Sequence, residues 1–112
     1  MISTVRFPIG NDFYYAFTLA KPDGTMDTGR TDLAATLSDT EAGPAITGMP
    51  NYTPTEAPAN SGVYNVTIPG ADSTAHVGTG RVGAPGWIVI TEGTALLACD
   101  QLLFCRSQRV GS

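Results

Sequence analysis

Phe13-Tyr14-Tyr15-Ala16-Phe17-Thr18-Leu19-Ala20 is followed at once by Lys21-Pro22-Asp23-Gly24, and the pair of segments decides the fold. Phe13, Tyr15, Phe17 and Leu19 recur at every second position, the period of a strand with one buried face. Tyr14, Ala16 and Thr18 occupy the other face, which is mildly polar and partly covered on this reading. Pro22 pre-sets φ for the second position of a turn and Asp23-Gly24 completes it. Leu33, Ala35 and Leu37 then alternate with Ala34, Thr36 and Ser38 as a second strand. Tyr64, Val66 and Ile68 give a further strand over Val63–Ile68, stopped by Pro69-Gly70.

Outward from this stretch the pattern continues in short pieces. Val5 and Phe7 alternate within Ser3–Phe7, and Trp87–Thr91 is strongly β-forming. Ala71–Ala75 predicts a single helical turn capped by Asp72 or Ser73, and Thr74–Arg81 a loose, bulged strand. The apolar residues of Ala95–Val110 fit neither period. They are read as two pieces, Ala95–Cys99 and a strand over Gln101–Ser107, with a helix over Thr94–Arg106 as the alternative. Four prolines between Pro44 and Pro58 exclude a helix or a central strand there. Ala45–Met49 can still pair at an edge. Pro50–Ser61 reads as an extended loop with Tyr52 as its one large anchor. About seven short antiparallel strands between Gly/Pro turns predict one all-β sandwich domain over residues 1–112, with a small β-barrel as the alternative.

Composition limits the function classes. The chain has 112 residues, 42% of them hydrophobic and only 14% charged, so Thr, Ser, Asn, Gly and Pro must cover its surface. Such a surface is cheaply desolvated against a partner. The net charge of −4 and a single lysine, Lys21, leave no basic stripe for nucleic acid. No apolar run reaches the roughly 18 residues of a membrane helix. No cationic segment followed by an apolar one marks a secretory signal, which places the chain in the cytosol of the producing cell.

The chemistry-bearing residues are sparse. His76 is the only histidine, and its neighbours Asp72 and Ser73 lie too close in sequence to converge as a triad, so an exposed loop histidine is expected. Cys99 and Cys105 lack the cationic setting that favours a thiolate. On one strand they would share a face roughly 20 Å apart at about 3.3 Å per residue, too far for an internal bridge. Buried free thiols are expected, with an intermolecular disulfide as the alternative. Two thiols without a nearby histidine do not make a metal site. Asp23, Asp27, Asp32, Asp39 and Glu41 lack the EF-hand spacing and read as turn-forming acids. Gly78-Thr79-Gly80 is not a phosphate loop. The sequons at Asn51 and Asn65 are read as chance matches. Trp87 is expected in the core; exposed and coplanar with Tyr52, it would instead line a carbohydrate- or cell-surface-binding face. No catalytic residue, cofactor or metal is assigned, and the chain is read as not an enzyme.

Phe13–Leu19, Pro22-Asp23-Gly24, Thr28-Gly29, Leu33–Ser38 and Gly62–Pro69 together resemble the small immunoglobulin-like domains of tailed-bacteriophage virion proteins. In that pattern an aromatic first strand, a Pro-Asp-Gly turn and a Thr-Gly step lead to a Thr-Leu-Ser-type strand, a variable insertion and a Gly-x-Tyr-x-Val-x-Ile-Pro strand. The resemblance covers a little over half the chain, with Gln101–Arg106 similar to the closing strand. It implies a structural virion protein, assembled with the major capsid protein or other virion proteins. A capsid decoration (cement) protein is favoured, and a neck or baseplate adaptor component is the alternative. The role implies a homo-oligomer, with a trimer expected, low-charge loops and apolar termini buried against neighbours, and no nucleic acid or membrane partner. The expected contact residues are Pro44, Met49, Pro50, Tyr52, Pro54 and Pro58 of the Pro-rich segment, together with Trp87. Cys99 and Cys105 depart from the pattern and leave open a cross-link between subunits.

Overall fold

A computed structural model describes residues 5–106. Its strands are β1 (Val5–Ile9), β2 (Phe13–Thr18), β3 (Leu33–Ser38), β4 (Thr55–Glu56), β5 (Val63–Ile68), β6 (Pro85–Glu92) and β7 (Ala95–Arg106). They form two sheets, ordered β1-β7-β6-β3 and β2-β5-β4, packed as an all-β sandwich. Every pairing is antiparallel except β1 with β7, which is parallel, Phe7 lying opposite Phe104. The strands nearest the two ends of the chain are the ones so joined, and no hairpin dictates their direction. The expected burial of apolar termini falls outside the described residues.

The alternating residues of β2, β3 and β5 face inward as their period requires. Phe13, Leu33, Ala35, Leu37, Tyr64, Val66 and Ile68 are all buried. Phe7 lies between Phe13 and Phe104, with ring centroids at 4.6 and 5.5 Å. Phe13, Tyr15, Phe17 and Tyr64 form a stacked row with centroids 5.7 to 6.5 Å apart. The buried Tyr64 hydroxyl donates to the Asp27 carbonyl at 2.8 Å and accepts from the Arg30 N–H at 3.2 Å. That tie fixes the loop between β2 and β3 without leaving a buried polar atom unpaired. The outward face of β2 is not covered: Tyr14 is 72% exposed, and Ala16 and Thr18 are exposed as well.

Two segments depart from expectation. Thr74–Arg81 is not a strand. A helical turn over Gly70–Asp72 runs into a π-turn at Ser73–Val77, and a 3-10 turn follows at Thr79–Arg81. Side chains compete for the backbone here. The Ser73 and Thr74 hydroxyls both donate to the Gly70 carbonyl at 3.0 Å, and the Gly10 N–H donates to Ser73 Oγ at 2.9 Å. Gly78, at φ 76°, ends the turn.

The second departure is the last segment, which is neither a helix nor two pieces but one twelve-residue strand. Its pairing with β6 slips by one residue, since Ile90 faces Ala98 while Thr91 faces Leu96. Leu97 is the extra residue, and it packs against the core. This bulge reverses the inward–outward alternation midway, which is why the apolar residues match no single period.

Candidate functional site

The Pro-rich segment is ordered by the chain itself. It runs beside β3, where the Ala35 and Tyr52 backbones exchange hydrogen bonds of 2.7 and 2.9 Å and the Ile46 N–H reaches the Leu37 carbonyl at 2.9 Å. It then crosses to the other sheet as β4, which pairs with β5. Ile46 and Met49 are buried in the core, and Pro54 is also buried. Tyr52 is half-buried against the core and donates its hydroxyl to Asp72 at 2.6 Å. Burial and that carboxylate both push the Tyr52 phenol well above its ordinary range. Met49 and Pro54 are therefore packed inside, which corrects their expected place at a surface. Pro44, Pro50 and Pro58 are exposed.

Trp87 is not in the core. Gly86, Ile88 and Ile90 of β6 are buried toward the other sheet, so the strand pleat directs Trp87 and Val89 to the outer face of the four-stranded sheet. There Trp87 is half-buried. On the same face β7 presents Leu96, Cys99, the exposed Gln101 opposite Trp87, Leu103 and Cys105, β1 presents Pro8 and Arg6, and β6 and β3 add Thr91, Ala34 and Thr36. Leu96 is 52% exposed, the other apolar side chains are half-buried, and Val89 is buried without belonging to the central core. Among these residues Arg6, on the edge strand, carries the one charge. Trp87 lies opposite Ser38 on β3, and Ser38 bridges to Ala45, so the apolar face ends beside the exposed Pro44. The structure thus brings Trp87 and Pro44 to one rim. Pro58 follows β4 of the other sheet, and Tyr52 is on the core side. Sequence reasoning missed Leu96, Leu103 and Pro8 as members of this face: the bulge at Leu97 hides which sides Leu96 and Leu103 take, and the side of Pro8 follows from the pairing of β1 with the distant β7.

The two cysteines are free and half-buried, rather than buried, and share the outer face. A thiol reagent applied to the native protein is expected to modify both Cys99 and Cys105. Protection of both until denaturant is added contradicts the placement. His76 is half-buried against Gly48, in a helical turn and not in an open loop. Among the described residues, no three His, Cys, Asp or Glu side chains group as a metal site, and no helix is long and apolar enough to cross a membrane.

The acids act as staples at the loops. Arg30 joins Asp27, at 2.7 Å, to Glu92, and so links the β2–β3 loop to the end of β6. Arg81 binds Asp39 through two hydrogen bonds of 2.8 and 2.9 Å. Glu56 accepts the Gly62 N–H at 2.8 Å and the Gly29 N–H at 3.1 Å. The Arg30 partner lowers Asp27, the Arg81 partner lowers Asp39, and the Gly62 N–H followed by that of Gly29 lowers Glu56, each below the usual carboxylate range. A carboxylate depressed in the folded chain binds fewer protons there than when unfolded. Its stabilisation is therefore present above the unfolded value, about 4, and is lost as pH falls through the folded one. Thermal melts should hold level down to about pH 5 and fall below it, and Glu56→Gln should flatten part of that fall. A melting temperature that rises toward pH 3 contradicts these assignments.

An open cavity of about 400 Å³ is lined by Leu19, Ala20, Lys21, Pro22, Asp27, Arg30 and Leu97. Arg30 there is already engaged by its two acids, so the cavity joins loop staples to apolar wall. No known protein family matches the chain, and no curated protein matches it. The fold and the described surface together define the chain as a β-sandwich module with a low-charge outer sheet face rich in large apolar side chains.

Proposed function

We propose that this chain is a structural, non-enzymatic component of a tailed-phage virion. Its role on this reading is a capsid decoration (cement) protein that stabilises the head by non-covalent contacts with the major capsid protein and with sibling subunits. One observation carries the reading: among the described residues the outer face of the four-stranded sheet sets Trp87, Leu96, Leu103, Cys99, Cys105 and Pro8 around the polar Gln101, Thr91 and Thr36, and Arg6 is its one charge. A sheet face this rich in large apolar side chains and this poor in charge marks an interaction site. Each half-buried side chain that a neighbour finishes covering adds on the order of 1 kcal/mol, and repetition over a shell multiplies small contacts. The resemblance of Phe13–Leu19, Leu33–Ser38 and Gly62–Pro69 to virion immunoglobulin-like domains supplies the context, since a sandwich alone does not define a function.

A carbohydrate-binding reading needs Trp87 and Tyr52 on one platform. Trp87 lies on the outer face of its sheet, whereas Tyr52 packs toward the core and is held by Asp72. The assembly reading is therefore the one supported by the positions of the aromatics. Particles lacking the protein provide the test. Added wild-type protein is expected to rebind them, and Leu103→Glu to weaken rebinding by at least about tenfold, which equals roughly 1.4 kcal/mol. Thr67→Lys, on the outward face of the other sheet, should rebind normally. Full binding by Leu103→Glu overturns the assignment of the contact face.

A further inference from the structure

Among the described residues, each sheet edge is guarded except one. β1 carries Arg6 and Pro8, the latter unable to donate a hydrogen bond. β3 is covered by the segment that pairs with it at Ala45 and Tyr52. β4 is two residues long and lies between Pro54 and Pro58. β2, Phe-Tyr-Tyr-Ala-Phe-Thr, has no charge, proline or bulge and pairs only with β5 among the described residues. Natural proteins blunt exposed edges with those very devices, and an edge without them is a site for strand addition.

The direction of the free groups follows from the register. The Leu19 N–H donates to the Gly62 carbonyl, one step beyond the Thr18–Val63 pair. Residues of odd number on β2 therefore bond to β5, and alternation turns the N–H and C=O groups of Tyr14, Ala16 and Thr18 toward the open edge. Their side chains stand on the exposed outward face.

We propose that β2 pairs with β2 of a second copy of this chain, antiparallel and about a two-fold axis at Ala16, fusing two three-stranded sheets into one. The strand is self-complementary about that point. Ala16 meets its own counterpart, the smallest side chain on this face of the strand, and Tyr14 lies opposite the partner's Thr18. On the inward face Tyr15 lies opposite the partner's Phe17, which lengthens the aromatic row. No like charges meet, and the only charges flanking the strand, Asp12 and Lys21, fall beside their opposites across the axis. An isologous contact of this kind closes on itself as a dimer. The inference concerns the edge of the three-stranded sheet and does not depend on the virion reading, whose contact face belongs to the other sheet.

Sedimentation of the intact chain up to about 0.5 mM tests it, because a dissociation constant near 100 μM then leaves most of the protein dimeric. Wild type is expected to dimerise. Ala16→Lys, which sets two ammonium groups against each other on the axis, is expected to be monomeric. Thr67→Lys, on the same outward face but one strand inward, should remain dimeric. In wild type, hydrogen exchange at the Tyr14, Ala16 and Thr18 amides should slow as concentration rises, a readout independent of whether any variant folds. A monomer at every concentration, a trimer, a dimer that survives Ala16→Lys, equal dissociation by Thr67→Lys, or exchange at those amides indifferent to concentration overturns the proposal.

Discussion

Replacing Gly70 with alanine is expected to destabilise the domain by about 3 kcal/mol, at the upper end of what overpacking costs. A Cβ on Gly70 would sit 2.4 Å from the Gly10 carbonyl oxygen, 2.7 Å from its carbon and 2.9 Å from the Asn11 carbonyl carbon. All three are backbone atoms, so no side chain can rotate away. The residue is also bonded in both directions. Its N–H donates to Asp12 at 2.8 Å and its carbonyl accepts the Ser73 and Thr74 hydroxyls. Displacing Gly70 therefore loosens the turn after β5 together with the β1–β2 connection. Urea unfolding should show a lower midpoint with an unchanged slope. Gly78→Ala is the comparison: its Cβ would meet nothing within 4 Å, and only the φ of 76° opposes it, for about 1 kcal/mol. Equal effects at the two positions would contradict the close approach at Gly70.

Phe104→Ala should cost about 4 kcal/mol, in the range for a fully buried aromatic ring. The Phe104 ring is completely buried, meets Phe7 edge-on, and lies over Gly86 on the neighbouring strand. A Cβ at Gly86 would lie 2.4 Å from that ring. Glycine in the interior of β6 is the complement of the ring and not a weakness of the strand. Gly86→Ala should thus be harmful in wild type and nearly harmless beside Phe104→Ala. A double-mutant cycle should return a coupling of about 1–2 kcal/mol, and strict additivity would mean the ring and the glycine do not share this space.

The alternation of Phe13–Leu19 and of Leu33–Ser38, and the Pro-Asp-Gly turn between them, made the sandwich readable, because one buried face per strand writes itself into every second residue. Two parts of the chain were not readable in this way. The bulge at Leu97 reverses the alternation within one strand, and a pattern searched for one period sees noise. Around Ser73, helical turns are fixed by hydroxyl bonds to Gly70 and by contact with Gly10, partners 3 and 63 residues away. The surface followed the same rule. Tyr52 and Met49 are among the expected contact residues, yet the bridge from Ala35 to Tyr52 folds their segment onto the core. Leu103 and Leu96, which matched neither period, stand on the outer face. Which side an apolar residue takes depends on register, and register is set by pairing between distant strands.

The central proposal, that the chain is a capsid cement protein, is tested most directly by imaging purified particles made with and without it. The account predicts density for the protein at repeated positions on the outer capsid surface, lost in its absence, with particles that then break at lower temperature or under osmotic shock. Density confined to the neck or tail, or particles of unchanged architecture and resistance, would contradict it.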